Sequence, residues 1–272
     1  MTFSIVAGDQ DADAVGVAVQ SKFISVGSVV PFASVDAGAI ATQSFANVAY
    51  GPDGLSMLRD GATAEECLDV AGDRQGETYT VQGNILENGT TLEAMADAYE
   101  TTDGGLPERL IAALHAGEAA GGDSRGKQSA ALYVVKPEGG YDGGNDRWID
   151  VRVDDHETPI SELERVFKLY DVTLLPREEP DEFRELEGES AAAVTETLAE
   201  LGFYDGTPTE TFGEDERDAL EAFRGVNNFE NHSVAALEDA LVRGWGDATD
   251  QAGNEAKLVD AIWHGLDRLD RQ

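Results

Sequence analysis

Cysteine is all but absent, with Cys67 the single thiol in 272 residues. One thiol makes an intrachain disulfide impossible and rules out a thiolate metal cluster. Basic charge is also scarce: 19 Lys and Arg stand against 54 Asp and Glu, a formal net charge of -35. Lysine occurs only at Lys22, Lys127, Lys136, Lys168 and Lys257. Phosphate recognition needs clustered Lys and Arg. No such patch exists here, so nucleic acid is not an expected partner.

Long apolar runs are missing too. The longest apolar tract, 23–41, is broken by Pro31 and Asp36 and is full of Gly, Ser and Val. It reads as sheet core and not as a membrane span. No basic segment followed by an apolar one opens the chain, so a signal peptide is not expected and the location expected is cytoplasmic. Gly121–Gly126 lacks Walker spacing and precedes a strand, which discards nucleotide binding. His156 beside Asp154-Asp155 has no ligand spacing and reads as a surface turn. His115, His232 and His264 are scattered over helical stretches, and no Gly-x-Ser-x-Gly elbow is present. No cofactor and no metal are expected.

What is present is ordinary globular material, 41% hydrophobic and 27% charged, in a chain long enough for one large or two smaller domains. The acidic excess repels itself at low salt, and halophile proteins use this lever. It is read as adaptation to a high-salt cytoplasm, with an acidic partner-binding surface as the lesser reading.

Thr2–Ala7 and Ala14–Gln20 read as strands joined by an acidic turn, a hairpin. A strand-like piece follows at Gly38–Gln43, then a helix at Asp53–Arg59 opened by Pro52. Thr63 and Glu66 form a capping-box pattern for a short further helix. Tyr79–Leu86 reads as a strand, and Thr90–Glu100 and Leu106–Ala119 as helices. Ser129–Val135 and Trp148–Val153 are strands, and Ile160–Leu174 is a helix. A strand hairpin, a middle of helices and a return to strands suggest sheets covered by helices, not a parallel βαβ array. After Pro176 the chain is first charged and aperiodic, then all helical: Ser190–Leu201, Asp215–Phe223, Val234–Arg243 and Asn254–Leu269. The domains expected are 1–176, an acidic linker 177–189, and a helical domain 190–272.

Four polar clusters interrupt apolar strands, at Gln20-Ser21-Lys22, Gln43–Asn47, Gln82–Asn84 and Gly121–Ser129. Each sits at a strand end, where clefts form. An amide nitrogen of Asn84 or Asn47 can donate to a developing oxyanion. Lys22 can lower the pKa of a nearby amine. Asp123 can orient Lys22 or Arg125 through a charge-assisted bond. Each of these residues has a plainer use as well, since Gln and Asn commonly satisfy turn backbone and lysine is commonly solvated.

The opening Met1-Thr2-Phe3-Ser4-Ile5-Val6-Ala7 places a hydroxyl directly behind the initiator. If Met1 is removed, the Thr2 hydroxyl and a free α-amine share one residue, and the amine can serve as general base. Its reference pKa of about 7.7 to 8.0 leaves much of it neutral near physiological pH.

That opening resembles the family called domain of unknown function 1028. So do Gly16–Phe23, Ala41–Asn47, Val81-Gln82-Gly83-Asn84, Gly121–Leu132 and Asn145-Asp146-Arg147-Trp148. The likeness covers most of residues 1–175. The family is regarded as one of N-terminal-nucleophile (Ntn) hydrolases. The resemblance therefore implies an α+β fold, a four-layer αββα sandwich, with Thr2 as the nucleophile after Met1 removal. The run Asp123–Ser129 also resembles the loop beside the proteasome threonine. One departure is that similar sequences carry extra strands between Glu66 and Tyr79. Here Cys67–Arg74 joins straight on, which leaves two alternatives: the chain compensates for the exposed sheet edge, as by oligomerising to a dimer, or the core is compromised. Leu198–Gly206, Phe212-Gly213 and Ala219–Phe223 resemble a small helical peptidoglycan-binding-like domain, expected to act here in docking or dimerisation.

The leading expectation is a hydrolase of a non-peptide or small-peptide C–N amide bond in a small-molecule substrate. Thr2, Lys22, Asn84 and Asp123 carry the chemistry. Gln20, Gln43, Ser44, Asn47, Gln82, Arg125, Gln128 and Ser129 bind substrate, with Lys22, Asp123 and Arg125 holding a substrate carboxylate. The alternative is a non-catalytic binding or assembly protein on the same scaffold, because fold alone does not establish function.

Overall fold

The computed structural model describes residues 2–44, 47–64, 73–249 and 253–271. It divides the chain into two compact units, Met1–Val166 and Phe167–Gln272.

The first unit is α+β and its sheets are antiparallel throughout. Strands β1 (Thr2–Asp9) and β2 (Ala14–Ser21) form the expected hairpin. The hairpin is extended on one side by β6 (Tyr79–Asn84) and β5 (Asp73–Gln75), and on the other by β7 (Ser129–Val135) and β8 (Arg147–Val153). The strand order is β5-β6-β1-β2-β7-β8, so β1 and β2 are central. Their apolar alternation accounts for this: Phe3, Ile5 and Ala7 lie on one face of β1, all buried. That face is covered by helices α2 (Thr90–Thr101) and α3 (Leu106–Ala119). Leu106, Leu110, Ala113 and Leu114 of α3 are buried, as their spacing predicts.

The opposite face meets a two-stranded sheet, β3 (Pro31–Ser34) and β4 (Gly38–Ala41), with α1 (Tyr50–Arg59) packed on that hairpin. Val19, Val26, Val30 and Ala131 form the apolar cluster between the sheets. Strand β3 was not expected. It is four residues long and starts at Pro31, so it offers little periodicity. The expected strand 38–43 ends at Ala41. Beyond it, Thr42, Gln43 and Ser44 leave the ladder, Ser44 with φ 73. The three-residue β5 caps the sheet edge beside β6, and a short strand there limits the unpaired edge. The helix expected after Thr63, and the junction from Glu66 to Gly72, fall outside the described residues.

Helix α4 (Pro159–Leu174) spans the boundary between the units. The second unit continues with α5 (Gly188–Glu200), α6 (Glu214–Val226), α7 (Val234–Gly244) and α8 (Asn254–Leu266). Leu198, Leu220 and Phe223 are fully buried, while Leu201 and Phe203 are half-buried. Of the expected linker 177–189, the part before α5 is tied down by side-chain acceptors. Asp239 accepts the Arg184 N–H at 2.9 Å and Glu238 accepts that of Leu186 at 2.9 Å. Buried Asp171 accepts from Arg177 Nη2 at 2.5 Å, Trp263 Nε1 at 2.8 Å and Arg271 Nη2 at 3.2 Å. All three reach Oδ2, and the two guanidinium groups offset the buried negative charge. Among the described residues no helix is long and apolar enough to cross a membrane.

Candidate functional site

Register brings four polar side chains into one row at one end of the large sheet. Thr2 pairs with Asn84 on β6 and with Ser21 on β2, and Ser21 pairs with Ser129 on β7. Cross-strand partners share a face, so Asn84, Thr2, Ser21 and Ser129 stand side by side. The face is the one turned toward the hairpin, since Ser4, two residues along from Thr2, reaches Gln43 there. The next row holds Gln82, Ser4, Val19 and Ala131.

The Thr2 hydroxyl is buried and lies 3.0 Å from that of Ser21. Asn84 Nδ2 is buried and has no hydrogen-bond partner among the described residues. A buried donor left unpaired is costly in a native protein. This one belongs to the residue paired with Thr2.

Asp123 sits below the row. The bridge between Leu86 and Asp123 joins its loop to the end of β6, as does the bond from Glu87 N to Gly122 O at 3.1 Å. The Asp123 carboxylate accepts the backbone N–H of Lys22 at 2.9 Å and of Arg125 at 2.9 Å, and the Arg125 guanidinium at 3.1 Å. Burial raises its carboxyl pKa, and the Lys22 and Arg125 N–H groups oppose that rise. It therefore fixes the chain directly after Ser21, a positioning role. Lys22 is exposed and its ammonium donates to the Lys127 carbonyl at 3.3 Å.

The substrate-binding expectations divide. Gln43 and Gln82 converge on Ser4, their Oε1 atoms 3.5 and 3.4 Å from its hydroxyl. Gln20 pairs with Phe3 and lies on the helix-covered face, opposite Thr2. Ser129 has both hydrogen-bonding functions engaged, donating to the Phe23 carbonyl and accepting from Val26 N–H at 3.1 Å. It holds the turn after β2. Gln128 donates to Asp155 at 3.0 Å. Asn47 accepts the Ala49 N–H at 3.1 Å, an Asx turn leading into α1, and Ser44 is exposed. Arg125 is paired with Asp123. His156 is exposed and caps Thr158 N–H at 3.0 Å, as a surface turn would.

Two residues of the cluster were not singled out in advance, Ser21 and Ser4. The signal for Ser4 was a second hydroxyl at i, i+2 from Thr2 in an otherwise apolar strand. Ser21 lies in the polar run Gln20-Ser21-Lys22, but only the pairing register sets it opposite Thr2. Among the described residues no group of three or more His, Cys, Asp or Glu side chains is placed to hold a metal ion.

Residues 2–71 and 62–163 match the family of unknown function DUF1028, and residues 173–260 match a domain described as "Putative peptidoglycan binding domain". A crystal structure of a Silicibacter pomeroyi protein assigned to DUF1028 is similar over 62% of this chain and 89% of its own. The two are 27% identical, with a TM-score of 0.55. No curated protein matches this chain.

Proposed function

The chain belongs to the family of unknown function DUF1028, and from that premise we propose that it is an Ntn-type hydrolase of an amide C–N bond, with Thr2 as nucleophile once Met1 is removed. The observation that carries the reading is the row itself. A buried hydroxyl at Thr2 is held by Ser21 Oγ, beside an unpaired N–H donor on Asn84. The layer order of helices, large sheet, small sheet and helix supports it, because it is the order an αββα sandwich requires.

In the proposed reaction Thr2 Oγ attacks the amide carbon and the Thr2 α-amine takes its proton. Negative charge then gathers on the former carbonyl oxygen, where Asn84 Nδ2 donates without reorganising. The C–N bond breaks, the leaving nitrogen takes the proton from the α-amine, and an ester on Thr2 remains. Water attacks that ester as the amine takes its proton, the C–Oγ bond breaks, and the amine returns the proton to Thr2 Oγ, releasing the acid and free Thr2. Of the two oxyanion candidates Asn84 is preferred, since Asn47 O is committed to the Ala49 N–H.

The test is labelling of the full chain in high salt with a β-lactone, followed by mass spectrometry of the N-terminal peptide. The expected result is one adduct on Thr2, Met1 gone, and no adduct in a Thr2→Ala variant. Retained Met1, or equal amidase activity in Thr2→Ala, would overturn the assignment.

A further inference from the structure

The face that carries Thr2 continues into a cavity, and we propose that this cavity binds a substrate group rich in N–H donors, a carboxamide or an ammonium, and rejects a carboxylate. The word substrate rests on the Thr2 reading; the binding preference does not need the chemistry.

The cavity, of about 890 Å³, lies between the β6–β1 side of the large sheet, strand β4 and α1. Gln82 and Thr80 line it from β6, Gln43 from the segment after β4, and the exposed turn Gln75–Thr78 from the rim. Among its described lining residues there is no lysine, arginine or histidine, and Glu77 is the one carboxylate.

Ser4 carries one hydroxyl proton, yet the side-chain oxygens of both Gln43 and Gln82 face it, at 3.5 and 3.4 Å. One of the two is left without that proton. The Gln82 amide N–H₂ is directed to Thr80 Oγ1 at 2.5 Å. The glutamine oxygen left without the Ser4 proton remains to accept a ligand N–H. A carboxylate would lose its water and find no cation among these residues to replace it. The net charge of -35 adds a repulsive background.

Spacing ties the cavity to Thr2. Thr2 and Ser4 are two residues apart on one strand face, about 7 Å by strand geometry. That is about the reach of a glutamine side chain from its own α-carbonyl. Lys22 and Arg125, the sequence's candidates for holding a substrate carboxylate, are not among the lining residues.

Three probes test this on the full chain carrying Thr2→Ala, so that nothing is turned over: the N-acetyl amides of glutamine, lysine and glutamate. Kd is measured by calorimetry in high KCl, where long-range repulsion is screened and the difference reports the walls. The expected result is that the glutamine and lysine probes bind at least tenfold more tightly than the glutamate probe. Gln43→Lys, at a half-buried position, is expected to bring the glutamate probe level with glutamine. Equal or tighter glutamate binding by the unmodified wall, no binding of any probe, or no change in preference in Gln43→Lys would overturn the proposal. β-Lactone labelling reads Thr2 separately. A label without the preference defeats the pocket alone, and the preference without a label defeats the chemistry alone.

Discussion

Thr2 Oγ1 and Ser21 Oγ stand 3.0 Å apart on the two central strands of the large sheet, both buried. The pair exists because the β1–β2 register sets residue 2 opposite residue 21. Removing the Ser21 hydroxyl leaves that of Thr2 without its partner. Ser21→Ala is expected to slow β-lactone labelling of Thr2 about tenfold. It should also cost about 1–3 kcal/mol, the usual penalty for an orphaned buried polar group. Labelling kinetics and a denaturant melt check both.

Asn84 predicts the opposite sign for stability. Its Nδ2 is buried without a partner, so an apolar side chain of similar size removes an unmet demand. Asn84→Leu is expected to be neutral or to stabilise by about 1 kcal/mol. Hydrolysis should fall by about 10² to 10³, the usual loss of an oxyanion donor. Reduced stability with retained turnover would show that Asn84 is a packing residue.

Asp123 predicts a pH dependence. Burial raises its folded carboxyl pKa, so in the window above the ordinary value of 3.8 the folded chain holds the proton more than the unfolded chain does. The stability that this group contributes therefore falls as pH rises from 3.8 through the raised folded value, and is flat above it. Melts of the parent and Asp123→Asn across pH 3.5 to 8 should show the parent losing ground to the variant over that acidic window only. The lower pH limit sits just below the ordinary carboxyl value of 3.8.

In the helical unit, α7 and α8 approach backbone to backbone at two glycines. A Cβ on Gly265 would overlap the Ala240 carbonyl, and one on Gly244 the Ala261 carbonyl. Gly265→Ala is expected to destabilise by about 3 kcal/mol or more, because two packed helices must separate. Calorimetry of the full chain checks it, with Gly253→Ala as the control, where an added Cβ meets nothing.

Much of the architecture was legible. The β1–β2 hairpin follows from two apolar runs around an acidic turn. Helices α2 and α3 follow from periodic Leu and Ala, and the antiparallel class from strands clustered at the two ends of the first unit. Strands β3 and β5 were not legible, being four and three residues long and too short to show a period. Within the site, Thr2, Asn84 and Gln82 were named and stand on the sheet face turned toward the hairpin, and Gln43, also named, meets Ser4 from the hairpin side. Gln20 was named too, but sits on the other face. It belongs to the same polar cluster as Ser21, yet in a strand one position decides the face.

Composition and residue order alone fix which side chains could act: a hydroxyl at position 2, amides at strand ends, a single thiol and a formal net charge of -35. Those are properties of side chains and need no neighbours. The tertiary structure decided which of them meet. The pairing of Thr2 with Ser21 and Asn84, the Asp123 clamp on the chain after Ser21, and the cation-free cavity past Ser4 all depend on register and layer packing. Those are set by contacts between residues from 19 to 101 positions apart, and local pattern does not carry that information.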